Sequence, residues 1–347
     1  MLQELPKKEY AKLLPLIISK NELSVFSVID DITSGSVYVN NLDNPTAALI
    51  QTSECNLVAG ITTDADFNDS VGEKIDFWAP ITPDTKQWND IIPQIHPDKF
   101  IRRYTRRHYV LEIADKNNMT FALPNGYFLE SVNLEELKQK KYKNANEILD
   151  WIENWKDYEI FLKYGVGSYI RNEDTIVSWS ISDCAHNDKI AIGIHTDDGY
   201  RRKGFAKTVV NEVIRLCELK GYKHIEWLCV DFNQGSIAVA EKMGFKLENK
   251  YDCFTPYVPV ENMSDFAEAE WTDWAEYFEK GAKSEPRLIE ECIYTYIKAN
   301  NPKKTNELLL NYKSTVSSEY IKQFEDSINK FIDYLQSIGM ASAFSSD

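Results

Sequence analysis

A strand, a tight turn and the start of a helix follow one another near residue 200, and the turn is rich in basic residues. The strand-like run Ile190–Thr196 leads into Asp197–Tyr200 and then into Arg201-Arg202-Lys203-Gly204-Phe205-Ala206. Backbone N–H groups in the first turn of a helix have no partner inside the helix, and the helix dipole adds positive potential there. Gly204 allows close backbone approach, and Ala206 keeps the helix start slim. With its cationic side chains, this segment predicts a binding site for a pyrophosphate.

A second polar segment follows the next strand. The run Ile225–Val230 reads as a strand and leads to Asn233-Gln234-Gly235-Ser236, a short helix, and Glu241-Lys242-Met243-Gly244-Phe245. Asn233 could cap this helix by accepting a hydrogen bond from its backbone. It could also bind a ligand at the first turn, and both roles can hold together.

The two segments resemble the coenzyme A-binding motifs of the GNAT (Gcn5-related N-acetyltransferase) superfamily. The family signature (Arg/Gln)-x-x-Gly-x-(Gly/Ala) reads Arg201-x-x-Gly204-x-Ala206 here. The later motif, Asn-x-x-(Ala/Ser) followed by a helix and Lys-x-Gly-Phe, begins at Asn233. Both motifs stand in the family's order, and the resemblance covers residues 125 to 259.

A weaker likeness extends to a bacterial subgroup of GNAT proteins in which an α/β half precedes the acetyltransferase half. The residues that carry it in the second half are Trp227, Cys229, Asn233, Ser236, Ala240, Lys242, Gly244 and Phe245. In the first half, Gly35–Val39 and Asn44–Leu49 resemble the preceding half.

The resemblance implies acetyl-CoA as acyl donor. The strands Lys189–Thr196 and His224–Val230 would splay apart, and the pantetheine arm would insert between them, pair with the backbone of Ile194–Thr196 and bind Asn233. A backbone N–H near Thr196 would polarise the oxyanion that develops when an amine attacks the thioester. The residues expected to bind the cofactor are Ile194, His195, Thr196, Arg201, Arg202, Lys203, Gly204, Phe205, Ala206, Asn233 and Ser236. No metal is expected.

The chain departs from the family at the positions that move protons. Ala240 stands where many members carry a tyrosine that protonates the departing thiolate, and Ile190 stands where histone-type members carry a glutamate base. Tyr200 and Tyr251 are candidate substitutes for the acid, together with Cys229 or a water. For the base we consider His195, whose ordinary pKa of about 6.5 suits proton transfer near neutrality, and also Asp231 and Asp252. His195 could equally be a hydrogen-bonded strand residue, because alternation separates it from Ile194 and Thr196.

The hydrophobic pattern predicts the elements that would position these residues. Between residues 125 and 262 it indicates the order β-α-α-β-β-β-α-β-α-β, which is typical of an α/β layer fold with a mixed sheet. The predicted strands are Tyr127–Val132, Ser168–Ile170, Thr175–Ser182, Lys189–Thr196, His224–Val230 and Phe245–Phe254. The helical stretch Asn144–Tyr164 supplies the two consecutive helices of this order, and the other helices are Gly204–Leu219 and Gln234–Met243.

We therefore predict three domains in a chain of 347 residues. Residues 1–124 form an α/β domain, for which the resemblance leaves open a degenerate GNAT-like fold, with a hairpin at Ser36–Val39 and Ala47–Gln51 and a strand at Tyr109–Ile113. Residues 125–262 form the acetyltransferase domain, with a mostly antiparallel mixed sheet flanked by helices. Residues 263–347 form an all-helical extension, a small bundle or a pair of helical hairpins.

A basic cluster lies in the first of these domains. On a helix, Arg102, Arg103, Arg106 and Arg107 would share one face and could bind phosphate or RNA. The alternative is an exposed face that pairs with acidic residues of the same chain.

Composition limits the function classes. The formal net charge of −15 disfavours nucleic-acid partners and favours a cationic acceptor, although such a charge also keeps proteins soluble. The six cysteines form no CxxC pair, and no segment is long and apolar enough to span a membrane, so we expect a reduced, cytoplasmic setting.

Two functions stay open at this point. The first is an acetyl-CoA-dependent N-acetyltransferase that acts on a small-molecule or protein amine. The second is a non-catalytic acyl-CoA-binding sensor or scaffold whose C-terminal helices recruit a partner. Those helices could also form a homo-oligomer interface.

Overall fold

The computed structural model describes residues 2–95, 101–116, 119–260, 263, 266–340 and 343–344. The strands are β1 (Gln3–Glu4), β2 (Ser36–Val39), β3 (Ala47–Gln51), β4 (Asn56–Gly60), β5 (Thr82–Pro83), β6 (Arg102–Glu112), β7 (Tyr127–Ser131), β8 (Gly167–Asn172), β9 (Thr175–His186), β10 (Lys189–Thr196), β11 (His224–Val230) and β12 (Lys246–Thr255). The helices are α1 (Leu23–Ile29), α2 (Ala65–Lys74), α3 (Ile92–Ile95), α4 (Leu134–Lys140), α5 (Ala145–Ile152), α6 (Tyr158–Tyr164), α7 (Phe205–Leu219), α8 (Gln234–Lys242), α9 (Glu268–Gly281), α10 (Leu288–Lys298), α11 (Pro302–Lys313) and α12 (Ser318–Ser337). Short 3-10 helices cover Lys7–Leu13, Lys86–Asp90, Ile113–Asp115 and Asp198–Tyr200.

The first sheet contains β1 to β5 in chain order. The predicted hairpin is confirmed, because β2 and β3 pair antiparallel from Ser36↔Gln51 to Val39↔Ala48. Alternation along β3 sends Ala48 and Ile50 toward α1 and the first 3-10 helix, and sends Ala47 and Leu49 toward α2 and α3. Both faces of this sheet are therefore buried.

The second sheet contains seven strands in the order β12-β6-β11-β10-β9-β8-β7. All neighbours pair antiparallel except β10 and β11, which are parallel. The fold class is thus as predicted, a mixed and mostly antiparallel sheet flanked by helices. The predicted helical region Asn144–Tyr164 contains two helices, as the predicted order has it, and Asp157 caps the second by accepting a hydrogen bond from the Ile160 N–H. Helix α4 was not predicted.

Strand β6 comes from the part of the chain that precedes this sheet and inserts between β11 and β12. The helical alternative for Arg102–Arg107 is therefore wrong. Alternation along β6 instead puts Arg106 and His108 on one face of the sheet, and puts Arg107 and Tyr109 on the other. The suggestion that the arginines pair with acidic residues is confirmed, since Arg106 binds Glu54 and Arg107 binds Asp231.

The chain divides into two compact units. The first comprises residues 2–95 and 101–256, and the second comprises the described residues from 257 onward. The predicted boundary at 124/125 would separate β6 from both of its partner strands. The three-domain division stays a prediction, and its boundary at 262/263 falls beside residues 261 and 262, which are not among the described ones.

The second unit is helical, as predicted. Trp271 and Phe278 of α9 are fully buried, as are Leu288 and Ile293 of α10. Tyr294 of α10 meets Phe324 and Phe331 of α12 edge-on at ring-centroid distances of 5.5 and 5.2 Å. Such aromatic contacts stabilise helix packing beyond simple area burial.

Candidate functional site

Two neighbouring parallel strands, β10 and β11, separate in the middle of the large sheet. β10 and β11 pair only over Lys189↔His224, Ile190↔Ile225 and Ala191↔Glu226. Beyond Ala191, β10 continues to pair with β9 as far as Thr196, after a register shift between Ala191 and Ile192. Among the residues that the structure describes, the β11-facing edge of Ile192–Thr196 therefore has no partner strand, and a wedge-shaped gap opens there. We call the paired end of this gap, at Ala191 and Glu226, the vertex.

The wide end of the gap leads to the turn before α7. Arg202 and Gly204 both adopt left-handed backbone conformations, with φ of 63° and 87°. Gly204 is the N-cap of α7, and no side chain caps the helix there. A Cβ added at Gly204 would meet nothing within 4 Å. The start of α7 therefore has open space beside Gly204 and no side-chain cap, as an anion-binding helix start requires.

The basic side chains of the turn are held close to it. Arg201 donates from Nε to the Thr196 carbonyl at 3.2 Å and forms an ion pair of 2.7 Å with Asp198. Lys203 donates from Nζ to the Gly199 carbonyl at 3.1 Å and lies over the Tyr200 ring. Arg201 and Lys203, both predicted to bind phosphate, thus lie beside the helix start. Each already forms a hydrogen bond to a carbonyl group of the same segment.

Phe205 and Tyr200 have packing roles at the same turn. Phe205 is buried, and its ring lies 4.8 Å from that of Tyr127 on β7. Tyr200 meets Tyr127 edge-on at 6.3 Å. These contacts fix the helix start against the sheet.

His195 lies on the face of β10 opposite to Ile194 and Thr196, as alternation predicted. Its ring stacks on Trp179, and its Nε2 lies 3.2 Å from Asp197 and 3.8 Å from Glu147. Burial raises the pKa of Asp197, although His195 acts in the opposite direction. The ligand atoms of Glu147, His195 and Asp197 lie within 4.8 Å of one another, but exposed groups of this kind are common without a metal.

Asn233 performs the capping role considered from the sequence. Its Oδ1 accepts a hydrogen bond from the Ser236 N–H at 2.9 Å, and the residue is almost fully buried. The Ser236 hydroxyl accepts a hydrogen bond from Trp227 Nε1 at 2.9 Å. Ala240 is fully buried, so this helix offers no proton donor at that position.

Tyr251 belongs to a polar cluster that the sequence did not reveal. Its hydroxyl donates to Glu22 Oε1 at 2.7 Å, and Arg106 lies 3.6 Å from the same oxygen while also binding Glu54. Asp183 lies near Glu54, whose charge adds to burial in raising the pKa of Asp183 to about 7. We call these five residues the Arg106 cluster. Only the arginine repeat signalled it, since its other members are far apart in sequence.

Two carboxylates of the cluster have buried oxygen atoms without hydrogen-bond partners among the described residues. These atoms are Glu22 Oε2 and Asp183 Oδ1, and Arg106 Nε is in the same condition. Burial raises the pKa of Glu22 to about 7 against the opposing influence of Arg106. A buried charged group without a hydrogen-bond partner lowers the stability of the folded protein, so these atoms call for an explanation.

Next to the cluster, Glu226 marks the vertex of the gap. It accepts hydrogen bonds from Lys189 at 3.0 Å and shares one of 3.1 Å with His108. Burial tends to raise the pKa of Glu226, but His108 and Lys189 lower it overall. Glu226 is thus a paired, ionised carboxylate.

Comparisons with known proteins agree with this architecture. A model of the GNAT acetyltransferase family matches residues 15–254. The uncharacterized N-acetyltransferase YdfB of Bacillus subtilis (strain 168) is 26% identical over 262 residues, which is 73% of this chain and 98% of that protein. The crystal structure of a GCN5-related N-acetyltransferase-like protein from Streptococcus suis 89/1591 is similar in fold, with a TM-score of 0.57 and 21% identity over 72% of this chain and 98% of that one.

The family match covers both halves of the first compact unit and contains the gap, the turn and the Arg106 cluster. None of the helices in the described ranges has the length and apolar composition that a membrane crossing needs. The chain belongs to the GNAT acetyltransferase family.

Proposed function

We propose that the protein is an N-acetyltransferase that moves the acetyl group of acetyl-CoA directly to an amine acceptor. One observation carries the proposal: β10 and β11 separate after three residue pairs, beside a helix start that no side chain caps. A thioester donor with a long polar arm and a pyrophosphate fits both features, since the strand edge offers hydrogen bonds and the helix start binds phosphate.

The donor would lie with its phosphates at the turn Arg201–Ala206 and its arm along Ile194–Thr196. The N–H groups at Gly204, Phe205 and Ala206 would bind the pyrophosphate, with Arg202 and Lys203 adding positive charge. Asn233 and Ser236 would flank the arm from α8. Family membership supports acetyl-CoA as the cosubstrate.

The candidates for proton transfer have different surroundings. His195 is half-exposed and held by Asp197, which suits a group that exchanges protons with water. Burial raises the pKa of Tyr251 well above its usual range, so its phenol keeps its proton and can offer it in a hydrogen bond. Tyr200 lies at the turn, near the expected phosphates. We propose Tyr251 and His195 ahead of Tyr200 on this ground.

A second candidate function is a non-catalytic acyl-CoA sensor or scaffold. The buried Ala240, at the position where many family members carry the acid, favours it. In that case the helices α9–α12 would recruit a protein partner or a second copy of the chain.

Turnover separates the two functions. The purified protein is incubated with acetyl-CoA and a panel of primary amines, and released CoA thiol and acetylated product are measured together. The proposed enzyme releases one CoA thiol for each acetyl group transferred, and Gly204→Asp lowers the rate at limiting acetyl-CoA. Binding of acetyl-CoA without transfer to any amine would favour the sensor.

A further inference from the structure

The acetyl end of the donor has a defined place if the donor binds as proposed. The phosphate site follows the C-terminal end of β10, so an arm that runs back along the gap points toward the vertex. From Thr196 to Ala191 this path is about 17 Å long. The thioester therefore comes toward Ala191 and Glu226, where the gap closes.

The Arg106 cluster lies on one face of the sheet. It extends from the wide part of the gap toward the vertex, since Arg106 pairs with Val230, four residues beyond Glu226 along β11. Arg106 pairs with Val230 and Tyr251 across the strands, so its side chain is on their face. Asp183 is the extra residue where β9 shifts register opposite Ala191. Leu23 follows Glu22 in the chain, and Cys184 follows Asp183. Both Leu23 and Cys184 pack against Ala191. Glu22 and Asp183 therefore approach the vertex from α1 and from β9.

The cluster carries more negative than positive charge. Glu22 and Glu54 contact Arg106, and Asp183 lies near Glu54, so among the described residues three carboxyl groups share this arginine. Glu226 already has Lys189 and His108. Glu22 is 2% exposed, and its Oε2 has no hydrogen-bond partner in the described structure. Asp183 and the side chain of Glu54 are partly exposed, so the cluster has an approach from solvent. A slender group with several N–H donors and a positive charge would satisfy these oxygens.

We propose that the Arg106 cluster is the acceptor site and binds a primary alkylammonium group through the carboxylates of Glu22 and Asp183. This inference rests on the proposed function for its reaction, but the binding it requires can be measured without turnover. The acceptor enters past Glu54 and Asp183, and its chain is unbranched near the nitrogen because Glu22 and Tyr251 are buried. A free diamine and a lysine side chain share this chemistry.

The site also gives the acceptor proton a destination. The ammonium group transfers one proton to the Asp183 carboxylate, which can return it to solvent. The neutral amine then uses its lone pair to form a bond to the thioester carbon, and the carbon–sulfur bond breaks as the electron pair leaves with sulfur. The second nitrogen proton is lost to the thiolate, so the products are the N-alkylacetamide and CoA thiol. In this step Asp183, in place of His195, takes the ammonium proton and is a catalytic residue. Tyr251 keeps its proton, and Glu22 binds the acceptor.

The test measures binding first. Isothermal titration of 1,5-diaminopentane into the full chain saturated with CoA should give a saturable site, whereas 1,5-pentanediol should not bind. Glu22→Gln and Asp183→Asn keep the side-chain shapes. Each should raise the Kd of the diamine by about 10- to 100-fold, the range for the loss of a charge-assisted hydrogen bond. The control is Glu212→Gln, since Glu212 pairs with Arg215 on the surface of α7 and should not affect binding.

A second titration, with a lysine derivative, distinguishes the source of the ammonium group. Binding of Nα-acetyl-lysine amide as well as the diamine indicates a lysine side chain, whereas binding of the diamine alone indicates a small molecule. The inference is overturned if the diol binds as well as the diamine, if neither ammonium probe binds, or if both variants bind like the parent. Failure of the proposed function looks different, because either acetyl-CoA would not bind or it would bind without transfer of its acetyl group to any amine, whatever the result of the ammonium titrations.

Transfer provides a second readout. Asp183→Asn should lower kcat for the acceptor and leave the KM for acetyl-CoA unchanged. A purely structural cluster would instead lower the thermal midpoint of the variants without this separation.

Discussion

At the scale of single residues, Glu22 shows how burial and function are linked. The carboxyl group is at the N-cap of α1, where Tyr251 and Arg106 contact one of its oxygens and the other has no partner in the described structure. Burial raises its pKa from 4.5 to about 7, with Glu54 adding to the shift and Arg106 and His108 opposing it. A raised carboxyl pKa means that the folded protein holds this proton more tightly than the unfolded chain does.

A pH-dependent loss of stability follows from this pKa. Glu22 contributes stability fully below pH 4.5 and loses it as the pH rises through about 7, because the unfolded chain ionises first. We expect the free energy of unfolding of the parent to fall relative to Glu22→Gln by roughly 3 kcal/mol over this window. Urea unfolding of both proteins at several pH values measures the difference. A parent-minus-variant difference that is constant with pH would show that Glu22 does not hold its proton in this way.

The same scale shows what a sequence can and cannot reveal about a site. The turn Arg201–Ala206 was predictable because its chemistry is local, with a strand, a glycine and a helix start in one short segment. The Arg106 cluster was not predictable, because Glu22, Asp183 and Tyr251 meet only when two sheets pack. The roles proposed for His195 and Asn233 stay predictions, although the sequence did indicate the face of His195 and the capping by Asn233.

At the scale of elements, β6 decides where the folding unit ends. It lies between β12 and β11 in the sheet and pairs with both, and its Tyr109 and Leu111 are buried in the core of the second sheet. The sequence predicted β10 and β11 with their observed bounds, because their alternation and flanking turns are clear. The position of β6 was not predictable, since strand order depends on long-range pairing and an arginine-rich run also fits a helix.

Two fragments test this dependence. We expect residues 2–256 to unfold cooperatively on heating, because they include both sheets. Residues 125–256 lack β6 and should show no cooperative transition, since β12 loses its partner strand and the core loses large side chains. Circular dichroism followed against temperature measures both. A cooperative transition in the shorter fragment would mean that the acetyltransferase half folds without β6.

At the scale of the whole molecule, the family match and the compact units coincide. The match at residues 15–254 falls within the first unit, and the helices α9–α12 lie outside it. The sequence predicted this helical extension from its change in pattern and from the loss of glycine. What the extension binds was not predictable, because neither the spacing of its aromatic residues nor their burial identifies a partner.

Acetyl-CoA binding at the start of α7 is the central claim, and thermal unfolding tests it most directly. The parent, Gly204→Asp and Gly221→Asp are each melted with and without acetyl-CoA. Gly221 is a matched control, because it has a φ of 85°, open space around its Cβ and a place at the other end of α7. Both substitutions impose a similar backbone strain of about 1–2 kcal/mol.

We expect acetyl-CoA at about a hundred times its Kd to stabilise the parent and Gly221→Asp by roughly 2.7 kcal/mol, and to leave Gly204→Asp unchanged. The carboxylate at residue 204 would lie where the pyrophosphate binds. If the parent shows no rise in midpoint at millimolar acetyl-CoA, or if Gly204→Asp rises as much as the parent, the proposed donor site is contradicted.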